Sequence, residues 1–326
     1  MVKNNQVSFN GSISVFLCYT PLHLIIAKGI CNAEELVDVH VVYLGNKPDH
    51  VNFVIPLSSG STTVHLGRDS TSGAVKAALD LRRRLGSACT FFYCGNFKRW
   101  TARVMLRFLD PKELIGFDDG LGSLVSDSEL YCTDSSRLKR TAIRLLSSRL
   151  EYPDLLARLG RYYQVFDCSD HPMGHIDCRR ISLPKLKWDE NELDEPVVVF
   201  IGSPLSEYFV TSELNESLAL SFANAHAERD NFSVIYLVHP NESTEKVERL
   251  IRQLPRATLY RSQFAAEFFL GANHEHIIAL YSVVSTTLLS MSAIYPNTTY
   301  AVKLPVPGLQ KYYEALSNSG VILLTP

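Results

Sequence analysis

No apolar run in this sequence approaches the roughly 20 residues a helix needs to cross a bilayer, so a membrane-spanning enzyme is not expected. The start, MVKNNQVSFNGSISVFLCYT, has a short apolar stretch that runs into a Thr-Pro turn. A secretory leader wants a longer apolar core and a small-residue cleavage site, so Ser12 to Leu17 is expected to be a buried strand instead. Cysteine is sparse and odd in number: seven, with no Cys-x-x-Cys pair. That argues against a disulfide framework and against a structural zinc site, and makes the cytoplasm the natural compartment. An excess of one charge sign is also missing. The formal net charge is −2, which gives no global electrostatic case for nucleic acid. No carboxylate cluster has metal-ligand spacing, and the one His-Glu-His run, His274 to His276, reads as a polar loop before a strand. Neither a dinucleotide glycine fingerprint nor a Walker lysine is present.

What is there is an ordinary enzyme composition, 46% hydrophobic and 20% charged over 326 residues, a length that favours two domains. Short runs rich in Val, Ile and Tyr alternate with helical patterns. Strands are expected at Ile13–Cys18, Val39–Leu44, Thr63–His65, Thr90–Cys94, Leu114–Phe117, Tyr163–Phe166, Val197–Ile201, Ser233–Val238, Ile277–Tyr281, Thr298–Val302 and Val321–Leu324. Helices are expected at Ser72–Leu85, Lys98–Leu109, Ser212–His226 and Glu245–Gln253. The runs do not alternate polar with apolar, as befits strands buried on both faces, and strand–helix alternation implies parallel, doubly wound sheets. The charged, aperiodic stretch Ile181–Pro196 marks the boundary, giving domains of about 1–185 and 195–326.

Four segments lie where strands end, the place open α/β sheets put ligands. Asp118, Asp119 and Gly120 follow one strand. Two carboxylates before a flexible glycine can supply a general base, although an Asp-Gly surface turn accounts for the same residues. His239 and Pro240 end another strand, where an imidazole can serve a phosphate and the proline stiffens the turn. Gly202 and Ser203 follow the run VVVFI, and a glycine there lets backbone approach a ligand closely. Ser285 and Thr286 open a helix. Hydroxyls and free N–H groups at such a start bind anions without metal, and the same residues would equally serve as simple caps.

The order of these segments resembles the bacterial sialyltransferases, which share an acidic-acidic-Gly motif, a His-Pro motif and a Ser-Ser/Thr motif. The nearest likeness is to glycosyltransferase family 52, the lipooligosaccharide sialyltransferases, and to the bacterial polysialyltransferases. The opening CYTPLHLIIAKGI, with Thr20 and Pro21, is similar to their first strand, turn and helix. The resemblance implies a GT-B fold, two Rossmann-like domains facing a central cleft. The N-terminal domain would carry the acceptor side and the base, and the C-terminal domain the CMP site. It implies inverting transfer of sialic acid from CMP-sialic acid to a hydroxyl of a glycan or glycolipid, with no metal and no cofactor. Asp118 would be the base, with Asp119 competing for that role and Gly120, Thr20 and Pro21 on the acceptor side. His239, followed by Pro240, would serve the leaving phosphate. Ser285 and Thr286 would bind that phosphate, with Ser-Thr where relatives have Ser-Ser. Gly202, with Ser203, would line the nucleotide pocket. Glu267 would hold the ribose, although an amphipathic helix surface explains it nearly as well. Family members often dimerise, which no feature of this sequence bears on.

Three alternatives stay open: another CMP-linked acid sugar such as Kdo, a UDP- or GDP-hexose donor, and a catalytically silent glycan-binding protein. The acceptor (galactose-terminated lipooligosaccharide, a capsule glycan or a polysialic chain) and the α2,3, α2,6 or α2,8 linkage are not legible. Two further features stand apart. Arg137, Arg140 and Arg144 share one face of a candidate amphipathic helix, which could rest on an anionic inner-membrane surface; a core-packed helix with a solvated basic face is the simpler account. A second His-Pro, His171-Pro172, falls in the presumed interdomain region and is set aside.

Overall fold

The computed structural model describes residues 12–45, 48–53, 56–86, 89–125, 152–166, 172–173, 176–185, 193–208, 210–252, 254, 256–262, 265–295 and 298–326. The basic segment with Arg137, Arg140 and Arg144, and the histidine at 171, lie outside them. The chain divides into two compact units. The first takes the chain up to Asp119, resumes through Val165, and ends with Pro172–Pro184. The second takes the chain from Lys185 on, together with Gly120–Val125 and Phe166.

The first unit is built on β1 (Ile13–Cys18), β2 (Asp38–Tyr43), β3 (Ser61–Leu66), β4 (Cys89–Cys94), β5 (Glu113–Phe117), β6 (Leu159–Gln164) and β7 (Cys178–Arg180). They form one parallel sheet in the order β3-β2-β1-β4-β5-β6-β7. The central strand β1 is buried at every residue after Ile13. Phe16 there pairs with Val41 on one side and Tyr93 on the other, and stacks on the Tyr93 ring at 4.1 Å between centroids. Side chains of that size each contribute about 1.5–3 kcal/mol on burial, which is why an uninterrupted apolar run settles in the middle of a sheet covered on both faces. Helices α1 (Pro21–Ala33), α2 (Thr71–Leu85), α3 (Trp100–Leu109) and α4 (Tyr152–Ala157) connect the strands. The thiols of Cys18, Cys31, Cys89 and Cys94 are buried and unpaired, with burial pushing each well up from its ordinary range. They are packing groups, not nucleophiles.

The second unit carries β8 (Val197–Ile201), β9 (Ser233–Leu237), β10 (Ala257–Tyr260), β11 (Ile277–Ser282), β12 (Thr298–Val302) and β13 (Ile322–Leu324). They make a six-stranded parallel sheet ordered β10-β9-β8-β11-β12-β13. Its helices are α5 (Glu213–Asp230), α6 (Thr244–Ile251), α7 (Ala266–Ala272), α8 (Thr286–Ile294) and α9 (Gln310–Asn318). Helix starts follow the side-chain chemistry: Thr20, Ser70, Ser212, Ser243 and Ser285 each accept a backbone N–H at the first turn of α1, α2, α5, α6 and α8. Two parallel Rossmann-like units are the fold the sequence implies.

The expected strands are present, with two additions and one shift. β7 and β10 are short edge strands with exposed positions, so the apolar signal that marks central strands is absent from them. β6 begins at Leu159, four residues before the expected start, because Gly160 and Arg161 interrupt the apolar pattern. Arg161 is nonetheless buried, donating to the Tyr163 hydroxyl at 3.3 Å with Glu34 and Glu113 each 3.9 Å away.

Candidate functional site

In the first unit the strand order reverses between β1 and β4, and the crevice beyond the strand ends at such a reversal is where open α/β sheets bind ligands. The loops leaving β1, β4 and β5 bring His23, Asn96 and Asp119 together there. Asp119 forms a hydrogen bond with His23 Nε2 through Oδ1 and accepts from Asn96 Nδ2 at 2.9 Å through Oδ2. His23 Nδ1 accepts the Tyr19 backbone N–H at 3.3 Å, so the imidazole proton is left on Nε2, facing the carboxylate. Thr20 caps α1 by accepting the His23 N–H at 3.3 Å, and Pro21 opens the helix with its fixed φ. The sharp entry they enforce points His23 at Asp119. Gly95 leaves room for the ring: a Cβ there would meet His23 Nε2 at 3.3 Å and Phe117 at 3.0 Å.

Asp119 keeps 17% of its side chain exposed, whereas His23 keeps 1%. Burial alone would raise the Asp119 carboxyl. The His23 contact, the Asn96 amide and the Arg99 guanidinium outweigh it and hold the group below the usual carboxylate range. Arg99 is anchored by Asp69 at 2.5 Å and lies over the Tyr19 ring at 4.3 Å. Asp118 has a different place. It is fully buried, accepting the Val165 N–H at 2.7 Å and the Tyr162 hydroxyl at 3.2 Å, while its own N–H donates to the Tyr163 carbonyl. Those bonds fasten the end of β5 to the end of β6. The acidic pair therefore divides its work, one carboxylate inward as a strand clamp and one outward on a histidine.

In the second unit the reversal falls between β8 and β11. Gly202 and Ser203 leave β8, while Ser285 and Thr286 start α8 just after β11. Ser285 accepts the Thr287 N–H at 3.1 Å. Thr286 Oγ1 accepts the Leu121 N–H at 3.3 Å. Gly120 has φ of +88°, a left-handed region that favours glycine, and a Cβ there would lie 2.5 Å from Thr286 Cγ2. The glycine of the acidic motif and the threonine of the hydroxyl motif thus meet within this unit.

His239 follows β9 and is partly exposed. Its Nδ1 accepts the Asn241 N–H at 3.1 Å, so a neutral ring carries its proton on Nε2. Burial, then the Lys246 ammonium, lower its basicity, with Glu207 opposing them. Pro240 beside it is exposed. Glu267 lies on α7 but is buried, not on a helix surface. It accepts the Thr287 hydroxyl at 3.1 Å, and burial raises its carboxyl.

Sequence reasoning passed over His23, Asn96 and Lys246. The first sits in the apolar helix PLHLIIA and reads as a core residue; its one signal is its place three residues after a capping threonine.

Comparison with known proteins adds three findings. No curated protein matches the chain. Among solved structures, UDP-GlcNAc 2-epimerase from Neisseria meningitidis bound to UDP-GlcNAc superposes with a TM-score of 0.60 at 10% identity, covering 96% of this chain and 87% of that one. A putative UDP-N-acetylglucosamine 2-epimerase from Listeria monocytogenes gives 0.59 at 9% identity, covering 94% and 85%. The glycotransferase of kitacinnamycin gives 0.54 at 10%, covering 97% and 86%. These likenesses speak for the GT-B type of fold alone. A family model, alpha-2,8-polysialyltransferase, matches residues 125–303, more than half of the 326. Gly202, His239, Glu267, Ser285 and Thr286 fall inside that span, and the acidic pair lies just before it. Of the two groups the motifs resemble, the match is to the second: this chain belongs to the alpha-2,8-polysialyltransferase family.

Proposed function

We propose that the protein transfers sialic acid from CMP-sialic acid to a hydroxyl of a glycan acceptor, with inversion and without a metal ion. The observation that carries the mechanism is the Asp119 carboxylate, held ionised by its neighbours and partly exposed at a sheet's switch point. It replaces Asp118 as the base, because a fully buried carboxylate with both oxygens bonded cannot meet an acceptor hydroxyl. His23, almost wholly buried, orients Asp119 and touches no substrate.

The acceptor oxygen attacks the anomeric carbon and gives its proton to Asp119. The bond from that carbon to the CMP phosphate breaks through an oxocarbenium-like transition state. The departing phosphate takes a hydrogen bond from His239 Nε2–H, and from the hydroxyls and free N–H groups where α8 begins at Ser285 and Thr286. One phosphate, unlike a diphosphate, can be served by such neutral donors. Gly202 and Ser203 line the nucleotide side. Glu267 is assigned to the floor of that pocket through Thr287, in place of direct contact with the ribose. The family's name supports a sialic acid chain as acceptor and an α2,8 linkage. Among the described residues no helix is long and apolar enough to cross a membrane; the unpaired cysteines support a reaction in the cytoplasm.

Calorimetric titration with CMP, with UDP and GDP as controls and EDTA present, tests the donor assignment. Preferential CMP binding is expected. Preference for UDP or GDP would overturn it in favour of a hexosyltransferase, and no binding would favour a silent glycan-binding protein.

A further inference from the structure

Beneath the His239 loop lies a cluster that neither the motifs nor the family match singles out. Lys246, on the first turn of α6, is buried, its side chain 3% exposed. Its ammonium lies 2.9 Å from Glu207, 3.0 Å from Glu216 and 2.8 Å from Glu242, and donates to the Ser203 carbonyl at 3.0 Å. Three carboxylates and a carbonyl thus converge on one cation. Desolvating such a group costs several kcal/mol, so its retention calls for a structural reason.

The partners supply one, because each carries a different piece of the nucleotide side. Ser203 and Glu207 belong to the loop after β8. Glu242 closes the turn that starts at His239: its second oxygen accepts the His239 backbone N–H at 2.7 Å, and its first accepts the Tyr236 hydroxyl at 2.6 Å. Glu207 accepts the Ser243 N–H at 3.0 Å. Glu216, on α5, accepts both the backbone N–H and the hydroxyl of Ser206, at 3.0 and 2.8 Å. Gly202 completes the fit, since any Cβ there would collide with the Glu242 carboxylate. Lys246 and its carboxylates join the Gly202–Glu207 loop to the His239 loop, beside the Gly202 N–H bond to the Leu237 carbonyl and the Asn241 amide bond to the Tyr208 hydroxyl.

We infer that Lys246 is a positioning residue for donor turnover, fixing His239 against the Gly202–Glu207 loop. It touches no substrate and acts through the loop it holds. The inference rests on the reading of His239 as the donor to the leaving phosphate. Surface lysines on amphipathic helices carry no such duty; burial and the four contacts set this one apart.

The experiment compares Lys246→Met, Glu207→Ala and His239→Ala in the full chain, using CMP-sialic acid turnover, acceptor KM and NMR titration of the His239 ring. Lys246→Met is expected to lower kcat about 100-fold, the effect of an ångström-scale misplacement, with acceptor KM within twofold. It should also raise the His239 pKa, because the nearby cation is gone and Glu207 remains. Glu207→Ala should lower kcat by a smaller factor and move the His239 pKa down. Opposite shifts with a shared loss of turnover are what a positioning role gives and a general loss of stability does not. Should Lys246→Met fail to fold, the direction of the Glu207→Ala shift and its kcat decide alone. Wild-type kcat or an unmoved His239 titration in the folded variants overturns the proposal. Wild-type turnover in His239→Ala would instead overturn the reading beneath it.

Discussion

Replacing each member of the acidic pair with asparagine separates two roles that look identical in sequence. Asp118 accepts one backbone N–H and one tyrosine hydroxyl. In Asp118→Asn the amide oxygen keeps the Val165 bond, and the Tyr162 hydroxyl can rotate to accept from the new NH2 group. Charge disappears while the clamp survives, so kcat should stay within a few-fold of wild type. Asp118→Ala is different. It removes the carboxylate from both bonds where there is no solvent, at a cost of about 1–3 kcal/mol per bond lost, and the first unit should melt several degrees lower. Asp119→Asn reverses the pattern. Both of its bonded neighbours are donors, so one faces an amide N–H, but the site reaches solvent and the stability cost is small. Turnover should fall by about 10²–10⁴-fold, the usual loss of an acid–base group. Transfer rates at saturating donor, with calorimetric melting of each variant, read both quantities. A 100-fold loss in Asp118→Asn beside near-normal rates in Asp119→Asn would refute the assignment.

Other perturbations act on the same geometry. His23→Phe removes the groups that most strongly hold the Asp119 carboxyl down, so burial gains and its pKa rises. Because Asp119 must be ionised to accept a proton, activity in this variant should be lost at a higher pH as the solution is acidified, while the alkaline plateau is less affected; an unmoved acid limb counts against the pairing. Gly202→Ala forces the Glu242 carboxylate aside, and is expected to cost about 1–3 kcal/mol of overpacking together with donor turnover, measured by melting and kcat. Ser285→Ala deletes the α8 cap, with an expected loss of about 0.5–2 kcal/mol and weaker CMP binding by calorimetry.

The sheets were legible because their central strands are uninterrupted apolar runs, as in Val197–Ile201, buried at every position. The edge strand Ala257–Tyr260 was not, since half of it faces water and nothing in its composition demands a sheet. The acidic motif could be found but not resolved into its parts. Which aspartate turns inward depends on Val165 and Tyr162, some 45 residues further along, and no local pattern contains them. His23 was hidden by the apolar helix around it. Lys246 was hidden for the opposite reason: in TEKVERLI it looks like one more solvated charge, and contact with two distant carboxylates, Glu207 and Glu216, joins that with nearby Glu242 to bury it. For Glu267 the helix-surface account, offered beside the ribose reading, fails because α7 is short and its polar residue lies on the packed side.

The second unit is not a continuous stretch of chain. It incorporates Gly120–Val125, whose Leu121 N–H is bonded to Thr286 and whose turn, Leu121–Leu124, packs against α9. During synthesis that segment leaves the ribosome long before its partners. Helix α9 begins at Gln310, and at roughly 5–20 residues per second it follows about 10–40 s after Val125. Over that interval the strand ending at Asp119 can join its sheet, but the glycine turn beyond it has nowhere to dock. A fragment starting at Lys185 would lack the piece altogether, leaving Thr286 without its backbone partner. The glycine turn after the acidic pair is therefore docked only once nearly the whole polypeptide has been made, long after Asp119 has met His23 and Asn96.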